Sequence, residues 1–124
     1  MTTKDSESHG LAALRELSAL QRESDRLYVA VAQRTAYEEL VARHHSLKGN
    51  KTNLREFAAV REELAAYTAG HRPVPPPVES AELIAHARRR IEVFGRHAKA
   101  GIEGAAEGLA EAEEELAELL ADTA

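Results

Sequence analysis

Apolar side chains recur along this chain at alternating spacings of three and four, the period of an amphipathic helix. The first run is Ala13, Leu17, Leu20, Ser24, Leu27 and Val31, a seam of the coiled-coil kind. It predicts a helix from about Gly10 to about Arg43. The seam fails at Arg34 and Glu38, and a different face takes over with Tyr37, Leu40, Val41 and His44. No Pro or Gly lies nearby to kink the helix, so a change of packing partner is expected there. Residues 1–8 are polar and are expected to be frayed.

A second, shorter pattern places Phe57, Val60, Leu64 and Tyr67 at i, i+3, i+7 and i+10, predicting a helix over about 54–69. Asn53 and Glu56 have the spacing of a capping box, and Gly70 stands where a left-handed residue closes a helix. Residues 71–79 follow, carrying Pro73, Pro75, Pro76 and Pro77. Proline lacks an N–H and disfavours helix before it, so this stretch is an extended, semi-rigid connector.

The third pattern is the longest: Ile84, Ala87, Ile91, Phe94, Ala98, Ile102, Ala105, Leu109, Ala112, Leu116 and Leu119. One extra spacing of four, from Ala98 to Ile102, brings the average repeat close to the helical period. It predicts helix over about 81–120 behind a Ser80 cap. Unbroken, that helix would be about 60 Å long, too long for a domain whose radius of gyration is about 14 Å. Gly95, Gly101, Gly104 and Gly108 interrupt it, each costing about 1 kcal/mol relative to Ala. Either these glycines let another helix approach closely, or they weaken the helix. A break at Gly101–Gly104 would give two helices of about 20 residues. With no convincing strand, the fold expected is all-α: an elongated helical bundle or coiled-coil-like hairpin in a single domain.

Composition narrows the chemistry. The chain has 124 residues and no cysteine, which excludes a disulfide scaffold and thiolate metal or redox sites. There is no apolar run long enough to span a bilayer, and the start lacks the apolar core of a signal peptide. A cytoplasmic protein is expected, or one housed inside a phage-like particle. Arginine outnumbers lysine 12 to 4 and there are 24 alanines, a bias associated with GC-rich bacterial genomes and their phages. No phosphate-binding glycine loop or nucleophile elbow occurs, so neither catalysis nor a cofactor is expected. Glu82 and His86 have a metal-friendly i, i+4 spacing, but both fall on the polar flank of the stripe. No metal site is expected.

Charge divides sharply along the third pattern. Arg88, Arg89, Arg90, Arg96 and Lys99 crowd its first half, while residues 103–124 hold acids and no base. That order opposes the helix dipole. An antiparallel copy of the same segment would satisfy it, as would contact with the rest of the chain. The expectation is a structural or adaptor protein, a subunit of a homo-oligomer or of a larger assembly with other protein subunits. Self-association would run through Ile91, Phe94, Gly101, Ile102, Gly104, Gly108, Leu109 and Leu116. The alternative is a nucleic-acid-associated accessory or regulatory protein that contacts phosphate through Lys48, Lys51, Arg88, Arg89 and Arg90. The net charge of −5 weighs against it.

Overall fold

A computed structural model describes residues 3–49 and 52–123, with side chains from Gly10 onward. Four helices account for most of it: α1 (Thr3–Leu47), α2 (Leu54–Thr68), α3 (Ser80–Lys99) and α4 (Ala105–Thr123). No strand occurs among the described residues. The fold is all-α, and its helices form a helical bundle. The chain packs as two units: α1 up to Leu27 with Glu79 onward, and Tyr28–Val78.

In the first unit, α1 and α3 run antiparallel. Ser24 meets His86, Glu16 meets His97, and Arg26 meets Glu82, so position falls on one helix as it rises on the other. The predicted seam supplies the inner face of α1. Ala13, Leu20 and Leu27 are buried, and Leu17 and Ser24 are half-buried; Val31, the last seam position, belongs to the second unit and is half-buried there. α1 begins at Thr3 rather than near Gly10.

The helix predicted over 81–120 is two helices, folded back as an antiparallel hairpin of α3 and α4. Gly101 and Gly104 both have left-handed backbones, with φ of 78° and 83°. The N–H of Ile102 donates to the His97 carbonyl and that of Gly101 to Ala98, a Schellman closure that satisfies the last carbonyls of α3. Gly104 then opens α4, its carbonyl accepting from Gly108 N–H at 3.1 Å. A side chain at either φ would clash with its own backbone, which is why glycine occupies both positions. Across the hairpin Phe94 packs on Gly108 and Gly95 faces Leu109. Ala105 and Ala112 are buried at the centre of the α4 face.

In the second unit, α1 pairs antiparallel with α2. The Tyr37 and Tyr67 rings meet edge-on at 5.1 Å, and His44 stacks on Phe57 at 5.2 Å. Val60 and Tyr67 are buried, Phe57 and Leu64 half-buried. The inner positions of α1 here are Tyr37, Leu40, His44 and Leu47; of the second face that the sequence pattern marks, Val41 is exposed, and Leu47 joins because α1 continues past Arg43. Asn53 precedes α2 but makes no side-chain capping bond. Glu56 is engaged instead by Arg43 of α1, whose Nε donates at 2.7 Å, a charge-assisted contact that outcompetes the capping box. Gly70, at φ 79°, follows the end of α2. The connector is non-helical through 73–79, and Arg34 Nη1 fixes it by donating to the Pro75 carbonyl at 2.9 Å.

Candidate interaction surface

The first unit concentrates the charged side chains, and α3 distributes them between two neighbours. Positions 82, 86, 89, 96 and 97 reach α1. Arg89 Nη1 donates to Glu23 Oε2 at 3.1 Å, Arg96 Nη1 to Glu16 Oε1 at 2.8 Å, and Glu82 accepts from Arg26 at 3.2 Å. Arg90 turns the other way, to Glu115 of α4, and is largely buried in doing so. The Glu16 carboxyl is held below its usual range, first by the His97 hydrogen bond and then by Arg96.

These contacts answer within the chain two of the features that pointed to pairing between copies, the helix length and the basic half of the charge division. The hairpin halves the long helix. Gly101 and Gly104 serve the turn, where an added Cβ would meet nothing within 4 Å of the chain's own atoms. Gly108 does permit close approach, but to the chain's own Phe94: a Cβ there would lie 2.7 Å from the ring. Ile91, Phe94, Ile102, Leu109 and Leu116 are all half-buried.

What remains outward on α4 is a face of one sign. Glu107, Glu111, Glu114 and Glu118 recur at i, i+4, i+7 and i+11, all exposed, and none has an ion-pair partner among the described residues. Glu115 alone on this helix is paired. Elsewhere in the same unit Arg15, Arg22, Arg88 and Lys99 are exposed, with no carboxylate partner among the described residues.

Of the residues considered for phosphate contact, Arg88, Arg89 and Arg90 belong to the first unit and Lys48 to the second. Arg89 and Arg90 are held by carboxylates on different helices, leaving Arg88 outward. Lys48 is exposed in the second unit, and Lys51 lies outside the described residues. Glu82 and His86 do not converge on a common point: Glu82 takes Arg26, and His86 is buried against Ser24. Among the described residues no group of His, Asp and Glu could hold a metal ion. No described helix is long and apolar enough to cross a membrane.

Reading α3 as a single stripe missed its second buried face, His86, Val93 and His97. Val93 follows immediately before Phe94, about 100° round the helix, and the two histidines at i and i+11 flank it. A valine and two histidines on a common face, opposite the polar seam position Ser24, was the available signal. Compared with protein-family profiles, curated proteins and solved structures, the chain matches none.

Proposed function

We propose that this chain is a non-enzymatic structural or adaptor protein, a helical subunit that acts by binding other protein surfaces in a homo-oligomer or larger assembly. The observation that carries the reading is the outward face of α4: four exposed acids in helical register, unpaired within the described chain, on a helix with no base. A one-signed face of this kind raises the encounter rate with a basic surface and fixes its orientation. A second copy offers such a surface in Arg15, Arg22, Arg88 and Lys99. The contact is therefore heterologous, face to different face, and can extend into an assembly. A cytoplasmic location, or the interior of a phage-like particle, belongs to the same proposal. Replacing Glu107, Glu111, Glu114 and Glu118 together with Gln tests it. The unmodified chain should assemble in low salt, and the variant should keep its helical circular dichroism and lose that assembly. A variant that assembles unchanged would remove the role of this face.

A further inference from the structure

Two polar rungs cross the apolar seam between α1 and α3. At one, Ser24 Oγ and His86 Nε2 are 2.7 Å apart. At the other, His97 Nε2 and Glu16 Oε1 are 2.7 Å apart, with Arg96 on the same carboxylate. The first rung is incomplete. His86 is only 6% exposed, and its Nδ1 is buried with no hydrogen-bond partner among the described residues. A neutral ring tolerates this geometry as the Nε2–H tautomer, which donates to Ser24 Oγ and leaves only the Nδ1 lone pair unmatched. An imidazolium does not: it carries a second N–H, and at Nδ1 that N–H points into packed side chains without an acceptor.

We propose that this seam is an acid-released latch, in which protonation of His86 frees the first part of α1 from the α3–α4 hairpin and uncovers the apolar strip of Leu20, Leu27 and Val93. The groups around the ring do not offset the added charge. Glu23 of α1 and Glu115 of α4 are the nearby carboxylates, and each is already engaged by an arginine of α3, Arg89 and Arg90 respectively. Those two cations face the same ring. Burial is the largest influence and lowers its basicity; Arg90 and Arg89 lower it further, against opposing contributions from Glu23 and Glu115.

The sign follows from the lowered value. The native state holds His86 neutral more strongly than the unfolded chain does, so the seam is fully stable above the ordinary histidine value of 6.5. Stability falls as pH drops below that value and levels off once the native ring is itself protonated. Glu16 adds a second stage in the same direction. Its depressed carboxyl contributes stability above its ordinary 4.5, and this is lost on further acidification. Both rungs therefore weaken with acid, His86 first.

Amide hydrogen exchange on the full chain, corrected for intrinsic rates and followed from about pH 8 to about pH 5, tests the latch across the histidine range. Exchange at residues 13–27 should accelerate several-fold as pH falls, while α2 amides do not follow. His86→Gln can keep a hydrogen bond to Ser24 without titrating, and His86→Leu removes the polar rung altogether. Either variant should abolish the acceleration. Should both fail to fold, the ring resonances of the unmodified protein give the answer, because His86 should take up its proton only as residues 13–27 open. Acceleration that persists in a folded variant, or a His86 ring that titrates while exchange stays unchanged, would overturn the proposal.

Discussion

Glycine has opposite meanings at neighbouring positions of this chain, and substitution separates them. At Gly108 an added methyl lies 2.7–2.9 Å from three atoms of the Phe94 ring. Gly108→Ala should therefore lose about 1–3 kcal/mol to overpacking, more than the roughly 1 kcal/mol gained in helix propensity. Gly101 has open space around it but a φ of 78°, so Gly101→Ala should cost about 1 kcal/mol through backbone strain alone. Gly95 is helical, and its added methyl would meet only Leu109 Cδ1, at 3.9 Å. Gly95→Ala should stabilise by up to about 1 kcal/mol. Thermal melts of the three variants check the ordering, and a stabilised Gly108→Ala would show that Phe94 does not pack where described. From the sequence a break at Gly101–Gly104 was one of two readings, but the packing role of Gly108 was not distinguishable from it. A left-handed φ and a neighbouring ring are properties of the folded backbone, which spacing does not encode.

At the scale of elements, packing rather than propensity decides what each helix contributes. Leu20 and Leu27 are buried on the α1 seam, at 6% and 3% exposure. Truncating either to Ala should cost about 2–5 kcal/mol in urea unfolding. Leu17→Ala, at a half-buried position of the same seam, should cost less than either. Equal losses at all three would mean that the seam is not graded as described. The middle of the connector is held by Arg34, which donates to the Pro75 carbonyl, and its start by Arg72, whose backbone N–H donates to the Ala66 carbonyl and whose guanidinium lies over Tyr67. Arg34→Ala should speed proteolysis within 72–78 and leave the helical circular dichroism unchanged; unaltered cleavage would show the prolines to be held by other contacts. The α1 and α2 stripes were legible because each packs one apolar face, and the failure of the seam at Arg34 correctly marked a new face. α3 was half legible because it packs on two sides. Apart from Arg90 its α4-facing residues are apolar, whereas its α1-facing side carries His86, His97 and the paired Arg89 and Arg96, which hydropathy counts as solvent-facing.

For the whole molecule, the charge division along the last third of the chain is resolved only in part by folding. The basic half of the predicted long helix finds carboxylates at Glu16, Glu23 and Glu115. The acidic half finds one arginine and leaves Glu107, Glu111, Glu114 and Glu118 outward. Exposed ion pairs of this kind contribute little to folding, so the unspent charge is better matched to association than to stability. Such association should weaken with salt, because charges beyond about 8–10 Å are screened at physiological ionic strength. Sedimentation equilibrium of the unmodified protein, run across a concentration series in low and in high salt, tests this most directly. Assembly through the α4 face predicts masses that rise above 13.5 kDa with concentration in low salt and return toward it in high salt. A constant mass of one chain up to high micromolar concentration in low salt would contradict it.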